Sequence, residues 1–255
     1  MKKLTSRSRL QQRFKFIAVA ILSFLLLVAP VQADPISPQL EDQVLQIIRK
    51  HPEVILESVR VYQQKQQAAR QQAQQSFVQN MKTNPRAIIG QSPTRGAQAG
   101  KIVLVEFSDF QCPYCAAAHT TLKQFMNKHG NEVTLVYKHF PLTTIHAEAM
   151  PAAKAAWAAG QQNKFWNYHD ALFSNQSQLG EAFYQETAKS LRLDLKRFER
   201  DRTSKTAEAA IAQDIEMAEK LGVSGTPFFV MNGAVLSGSV ELSELEATLA
   251  KVKKE

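Results

Sequence analysis

Residues 102–115 read IVLVEFSDFQCPYC, and this stretch decides the fold. Its first part, Ile102–Phe107, predicts a strand that is apolar on both faces, which is typical of a central strand in a covered sheet. Four residues later, Cys112-Pro113-Tyr114-Cys115 begins a helix that we expect to run to about Asn127. The two cysteines therefore stand where a strand and a turn lead into a helix.

The pattern that follows completes one folded unit. The predicted elements are a strand at 133–138, a largely helical stretch at about 145–221 ending at Gly222, strands at 228–230 and 235–236 around an Asn232-Gly233 turn, and a helix through Val252. The order β-α-β, helical block, β-β-α predicts an α/β protein. We expect a thioredoxin-like fold over residues 101–255 with an inserted helical domain at about 145–221.

The two cysteines have the spacing of a redox pair. The sulfur of Cys112 would face unpaired backbone N–H groups at the start of a helix, which favour the thiolate. Pro113 suits the first helical position, where a missing N–H costs nothing. Cys115 lies one helical turn on, close enough to close a disulfide. We expect Cys112 to be the exposed nucleophile and Cys115 the more buried resolving thiol.

Three other interpretations of the pair remain. Cys112, Cys115 and His119 spell C-x2-C-x3-H, but a closed zinc site needs a fourth ligand, and no second pair stands at useful spacing. Haem attachment needs His directly after the second cysteine, where the chain has Ala116. A structural disulfide would close a very short loop and stabilise little. The sequence thus predicts neither a cofactor nor a metal.

The first 33 residues have the pattern of an export signal. Six basic residues within 1–15 precede an apolar run from Phe16 to Val28, and Val31-Gln32-Ala33 predicts cleavage after Ala33. The alternative is an uncleaved anchor, for which the apolar run is short. Without the leader, 25 basic residues face 23 acidic ones, and the net charge falls from +8 to +2. The mature chain therefore lacks the strong positive charge that would be the main argument for a nucleic-acid partner.

Residues 34–82 predict helices that differ from the rest of the chain. Ser37-Pro38 is a helix start, and His51-Pro52 ends one helix and begins the next. These helices have too few apolar residues for a core of their own, so they are either an oligomerisation arm, which we favour, or a solvated spacer. Residues 83–100, with two prolines and three glycines, predict a linker.

The chain resembles the DsbA-like periplasmic disulfide oxidoreductases over about residues 100–252. The segments that carry the resemblance, in the family's order, are Val105–Cys115, Phe140-Pro141-Leu142, the alanine-rich 147–159, Lys164-Phe165-Trp166 and Gly222–Pro227. The N-terminal arm, with His51-Pro52 before a glutamine-rich helix, resembles that of the oligomeric ScsC-type branch.

The resemblance implies further site residues. The bond before Pro227 is expected to be cis rather than part of an ordinary trans turn, with Thr226 facing Cys112 and able to pair with an extended substrate segment. Glu106 is assigned as the proton acceptor of Cys115. From the residues alone, an ion pair of Glu106 with Lys138 or a solvent-facing strand end is an equal alternative.

Three side chains near the pair carry weaker expectations. Tyr114 is expected to be an exposed ring between the cysteines. His119 and His139 are near the site in the sequence, but a polar surface position is the simpler expectation for both.

These features predict a periplasmic thiol–disulfide oxidoreductase that forms disulfides, isomerises them, or both. Its expected partners are exported proteins with cysteines, a membrane protein that recycles the redox pair, and further copies of this chain in a homodimer or homotrimer. The resemblance adds that threonine before the cis-proline is commoner in isomerase-type members of the family. Together with several active sites around one cleft, it favours mixed oxidase and isomerase activity. The alternative is a chaperone-like or metal-carrying periplasmic binding protein on the same fold.

Overall fold

The computed structural model describes residues 37–98 and 101–254. The predicted export signal and its cleavage site after Ala33 lie outside the described residues. The chain divides into two compact units, of which the first ends at Val61 and the second begins at Tyr62. That boundary falls inside one long helix, Pro52–Thr83.

The described part of the first unit is helical and has no core. Helix α1 (Pro38–Lys50) starts at Ser37, whose hydroxyl accepts a hydrogen bond from the Leu40 N–H at 3.2 Å, and helix α2 (Pro52–Thr83) follows His51. The large apolar side chains of this unit are exposed in the single chain: Leu40, Val44, Leu45, Ile47, Ile48, Val54, Ile55, Leu56, Val59 and Val61. The predicted helices are confirmed, and their role in oligomerisation stays a prediction.

The second unit begins with the remainder of α2, whose last turns pack against the sheet through the buried Phe77 and Met81. The segment predicted as a linker, 83–100, contains helix α3 (Pro85–Ile89) and strand β1 (Thr94–Gly96). The linker prediction was therefore wrong for these residues. A three-residue strand is too short to show any periodicity, and its hydrogen-bond partners lie about forty residues away in the sequence.

One five-stranded sheet organises this unit. Its other strands are β2 (Ile102–Ser108), β3 (Val133–His139), β4 (Phe228–Met231) and β5 (Ala234–Ser237), in the order β1-β3-β2-β4-β5. Strand β2 is central, parallel to β3 and antiparallel to β4. Every residue of β2 and β3 is buried, so the predicted covered central strand is confirmed.

Seven further α-helices surround the sheet: α4 (Pro113–His129), α5 (Ala149–Gly160), α6 (Phe165–Ser174), α7 (Glu181–Ser190), α8 (Leu195–Arg202), α9 (Lys205–Leu221) and α10 (Leu242–Val252). Helix α9 ends at Gly222 in the left-handed conformation, φ 78°. This backbone conformation favours glycine, which has no Cβ to strain it. Among the described residues, no helix combines the length and apolar character that a bilayer span requires.

The two sheet faces are covered by different helices. Leu104 and its neighbours on one face pack with α4 and α10. Val105 and its neighbours on the other face pack with α9 and the end of α2. The inserted helices α5 to α8 build a third cluster around Tyr137 that includes both cysteines. The thioredoxin-like α/β fold with a helical insertion is thus confirmed.

Candidate active site

Cys112 occupies the N-cap of α4, as the sequence predicts. Its backbone is extended (φ −70°, ψ 122°), and Pro113 takes the first helical position. The Cys112 carbonyl accepts hydrogen bonds from the N–H groups of Cys115 at 3.1 Å and Ala116 at 3.2 Å. The side chain therefore stands at the end of a helix whose first N–H groups have no intrahelical acceptors.

The loop before Cys112 is held by Asp109, a buried residue that the sequence analysis did not select. Its carboxylate accepts hydrogen bonds from the Gln111 N–H at 2.8 Å, the Leu142 N–H at 3.0 Å and Nδ1 of His146 at 2.7 Å. These contacts tie the turn after β2 to the segment after β3. Because the turn cannot move freely, the position of the sulfur is fixed before any substrate arrives.

Both cysteines are buried, at 3% exposure for Cys112 and 0% for Cys115. The prediction that Cys112 is exposed was wrong, because its side chain packs in one cluster with residues of the inserted helices and its sulfur contacts the Thr226 carbonyl. The prediction that Cys115 is buried is confirmed. Tyr114, at 62% exposure, presents its ring to solvent between them.

The surroundings of Cys112 lower the pKa of its thiol to about 5. The largest cause is the Cys115 side chain, which stabilises the thiolate. Partial burial opposes the shift, while the Thr226 side chain and the N–H groups of Cys115 and Tyr114 add to it. The helix start thus contributes as the sequence predicts, but less than the neighbouring sulfur does.

The pKa of the Cys115 thiol shifts in the opposite direction. Burial raises the pKa of its thiol well above the ordinary value, and the nearby Cys112 thiolate raises it further. Contacts with Ser108, Asp109 and Thr226 lower it only in part. The pair therefore loses a single proton at neutral pH, and it loses it from Cys112.

The bond between Thr226 and Pro227 is cis, which confirms the prediction. In its protonated form, the Cys112 thiol donates a weak hydrogen bond to the Thr226 carbonyl, with Sγ and O 3.4 Å apart. Pro227 itself is buried and Thr226 is partly exposed. The backbone before the cis-proline therefore faces the sulfur, as expected from the family.

Glu106 is buried in the middle of β2 at 1% exposure, opposite Tyr137 on β3 and Phe229 on β4. Burial raises the pKa of its carboxyl to about 7, and the Ser108 side chain opposes the rise. Lys138 forms its ion pair with Asp214 instead, at 3.1 Å. The predicted alternatives of an ion pair with Lys138 and of a solvent-facing strand end are both wrong.

Ser108 and Tyr137 belong to the same buried polar group, and sequence reasoning missed them. Among the described residues, Glu106 Oε1, Ser108 Oγ and Tyr137 Oη have no hydrogen-bond partner of ordinary geometry. Ser108 nevertheless lies near enough to lower the pKa of both Glu106 and Cys115. Its position two residues after Glu106, on the same strand face, was a usable signal. Tyr137 reaches the group only through the register of β2 with β3.

The expectation of a surface position was wrong for His139, while the side chain of His119 is partly buried at 12% exposure. His139 is buried at 2% exposure, and burial lowers its pKa to about 3. His119 Nε2 is 3.2 Å from Oδ1 of Asp170, on helix α6. The cluster that brings His119 together with other metal-ligand side chains contains His169 and Asp170 rather than the cysteines.

A family model described as thioredoxin matches residues 89–251 of the chain. Among curated proteins, the Na(+)/H(+) antiporter NhaA 1 of Salinispora arenicola is 37% identical over 155 residues, which are 61% of this chain and 24% of that protein. The chain thus spans about a quarter of the length of the curated relatives that it matches.

Solved structures of thioredoxin-like proteins share the fold, and two of them illustrate the likeness. A thioredoxin-like oxidoreductase from Silicibacter pomeroyi is 32% identical with a TM-score of 0.62, and the match covers 68% of this chain and 99% of that one. The thiol-disulfide exchange protein alpha-DsbA2 from Wolbachia pipientis is 19% identical with a TM-score of 0.62, and the match covers 74% and 97%. The chain therefore belongs to the thioredoxin family.

Proposed function

We propose that the protein is a periplasmic thiol–disulfide oxidoreductase that forms disulfides in exported proteins and isomerises wrong ones. The observation that carries this proposal is the opposite ionisation of two cysteines three residues apart. The surroundings lower the pKa of Cys112 and raise that of Cys115, so one sulfur is a thiolate and the other remains a thiol. Such a pair suits thiol–disulfide exchange, in which the thiolate attacks a substrate disulfide and the second sulfur then releases the mixed disulfide.

In the oxidising direction, a substrate thiolate attacks Sγ of Cys112 in the disulfide form of the protein. The bond between the two cysteines breaks, and Cys115 leaves as a thiolate that takes up a proton. A second substrate thiolate then attacks the substrate sulfur of the mixed disulfide and releases Cys112 as a thiolate. The substrate loses two electrons and gains a disulfide, and the protein becomes a dithiol.

The proton of Cys115 needs a nearby group, and Glu106 with Ser108 is the candidate. A carboxyl with a pKa of about 7 can hold or give up a proton at neutral pH. It gives the proton to Cys115 during oxidation of the substrate and takes it back when the cysteines close again. The Ser108 hydroxyl, which acts on both groups, would lie on the route between them.

Isomerisation uses the reduced protein. The Cys112 thiolate attacks a wrong disulfide, and the freed substrate thiolate attacks elsewhere in the same chain before Cys112 is released. No electrons are gained or lost in this cycle. Thr226, beside the sulfur, would hold the substrate as a short added strand through its backbone.

The direction of transfer follows from thiolate stabilisation. A low pKa at Cys112 stabilises the reduced form and makes this sulfur a good leaving group, and both effects favour donation of the disulfide. A protein that donates its disulfide must be oxidised again, and we assign that step to a membrane protein of the same compartment. The export pattern of residues 1–33 and the use of only two cysteines support the periplasmic assignment.

Refolding of ribonuclease tests the proposal in both directions. The oxidised protein should restore activity to reduced ribonuclease, and the reduced protein should restore activity to scrambled ribonuclease. Cys112→Ala should reduce both rates to those of buffer. Cys115→Ala is the matched control, because it retains the attacking sulfur and should accumulate a mixed disulfide with the substrate.

Equal rescue by wild type and Cys112→Ala would remove the enzyme assignment. That outcome would favour the chaperone-like binding protein on this fold.

A further inference from the structure

Three metal-ligand side chains meet beside the cysteine helix without involving either cysteine. His119 is on α4, one helical turn after Cys115, and His169 and Asp170 are adjacent on α6. Oδ1 of Asp170 is 3.2 Å from Nε2 of His119 and 2.8 Å from Nδ1 of His169. One ligand atom from each of the three residues lies within 4.8 Å of the others.

The two separations that involve Asp170 are close to those around a zinc ion, and the ligand atoms of His119 and His169 lie within 4.8 Å of each other. Zinc binds imidazole nitrogen and carboxylate oxygen at about 2.0–2.2 Å, so ligands at tetrahedral angles stand about 3.3 Å apart. The separation of His119 and Asp170 already has this value, and that of His169 and Asp170 would open by about 0.5 Å. Two imidazoles and one carboxylate are a donor set that zinc and its neighbours in the first transition row accept.

The cluster is anchored on one side and open on the other. The side chain of His169 is 4% exposed and lies among Phe110, Tyr137 and Phe165. That of Asp170 is 27% exposed, so solvent reaches the carboxylate. Three protein ligands with a solvent-facing side leave a fourth position for water, as in open zinc sites.

Arg95 is the group that competes with a cation here. Its guanidinium donates to Oδ2 of Asp170 at 3.0 Å and lies 4.4 Å from the ring centroid of Trp166. The Arg95 side chain is 30% exposed, so it can turn into solvent when an ion takes the carboxylate. The arginine balances the charge of the partly buried Asp170 carboxylate in the metal-free state, and it limits the affinity for a metal.

We propose that His119, His169 and Asp170 form a binding site for one divalent transition-metal ion, with zinc as the probe. The site is separate from the cysteine pair, so both the disulfide and the dithiol forms would bind the ion. A bound ion would join α4, which carries the cysteines, to α6 of the helical insertion. The ion would therefore stabilise the native state in proportion to its binding.

Zinc titration of the untagged, oxidised protein tests the site, because the disulfide removes the cysteine thiolates as ligands. Calorimetry should show one zinc per chain, and the unfolding midpoint should rise with zinc concentration. Asp170→Asn keeps the size of the side chain but removes the charge. Loss of a residue that only supports a metal ligand weakens metal binding roughly 10- to 100-fold. Because Asp170 is proposed as a ligand itself, the loss for Asp170→Asn should be larger.

Two further variants make the result specific. Arg95→Gln should bind zinc at least about fivefold more tightly, since it removes the positive charge that competes with the ion for Oδ2 of Asp170. Glu208→Gln is the control, because it removes an exposed carboxylate that pairs with Lys154 and is not a member of the cluster. This variant should bind zinc as tightly as wild type does. Should Asp170→Asn fail to fold, His119→Gln replaces it with the same expected loss.

The proposal is overturned if the wild type binds no zinc. It is equally overturned if a folded Asp170→Asn or His119→Gln variant binds zinc as tightly as wild type, which would indicate adventitious binding elsewhere.

Discussion

Lys138 Nζ lies 3.1 Å from Oδ1 of Asp214, and the two side chains are 4% and 10% exposed. Oδ2 of the same carboxylate accepts a hydrogen bond from the His139 N–H at 3.0 Å. Lys138 is opposite Phe107 in the sheet register, so it points to the face away from Glu106. Lys138 therefore pairs with a carboxylate of helix α9, and within the described part of the chain the buried Glu106 has no counter-ion.

The Lys138–Asp214 pair should be costly to break from one side. Burial raises the pKa of Asp214 more than Lys138 lowers it, so desolvation outweighs the attraction between the charges. Asp214→Ala should lower the free energy of unfolding by about 3–5 kcal/mol, because it leaves a buried ammonium without a partner. Urea unfolding at neutral pH measures this loss.

The matched control is the double variant Lys138→Met with Asp214→Leu, which removes both charges. Its stability should return close to that of wild type. A double variant as unstable as Asp214→Ala would show that packing, rather than charge, accounts for the loss.

Glu106 should make the stability of the protein depend on pH. Its folded pKa is about 7 against an ordinary 4.5, so between these values the folded protein binds more protons than the unfolded chain. The contribution of Glu106 to the free energy of unfolding is therefore fully present below pH 4.5 and is lost as the pH rises to about 7. The shift corresponds to a loss on the order of 3 kcal/mol. Thermal unfolding of Glu106→Gln and wild type should differ at pH 8 but not at pH 4.5, with the variant more stable.

Glu106→Gln also tests the proposed role of Glu106 as the proton acceptor of Cys115. Without an ionisable carboxyl, release of a mixed disulfide by Cys115 should slow by about 100-fold or more. Glu106→Gln should also abolish the rise in this rate that wild type shows as pH increases through about 7. A variant with the wild-type pH profile would limit Glu106 to a structural role.

The thiolate of Cys112 should depend on Cys115. Thiolate absorbance and the rate of alkylation of the reduced protein should both show a transition near pH 5. Cys115→Ala removes the largest stabilising contact and should move the transition upward, toward the ordinary value of 9.0. Cys115→Ser keeps a hydrogen-bond donor and should give an intermediate value. Equal transitions in all three proteins would assign the low pKa to the helix start alone.

The exposed apolar faces of α1 and the start of α2 should assemble copies of the chain. Light scattering after size exclusion should show the mature chain as a dimer or trimer. Val44→Lys with Ile48→Lys places two charges on the apolar side of α1 and should give a monomer. Gln43→Lys, also exposed on α1, is the control and should leave the assembly intact. A monomeric wild type would reject the oligomerisation arm.

Local signals were sufficient for most elements of the fold. The strand Ile102–Phe107, the helix at Cys112 and the glycine at 222 could be predicted because each depends on neighbours a few residues away. Strand β1 could not, since Thr94–Gly96 becomes a strand only by pairing with the distant strand β3. The end of α2 was assigned wholly to the arm because the burial of Phe77 depends on the sheet.

In the candidate site, the sequence by itself determined which atoms could react. The spacing of Cys112 and Cys115 at the start of a helix is a local property, and so is the helix end that faces the first sulfur. Only the tertiary structure decided how these groups ionise. The partner of Lys138, the burial of Glu106 and Cys112, and the approach of Ser108 and Tyr137 depend on strand register and helix packing. Charge energies change steeply with burial and distance, and no sequence spacing contains that information.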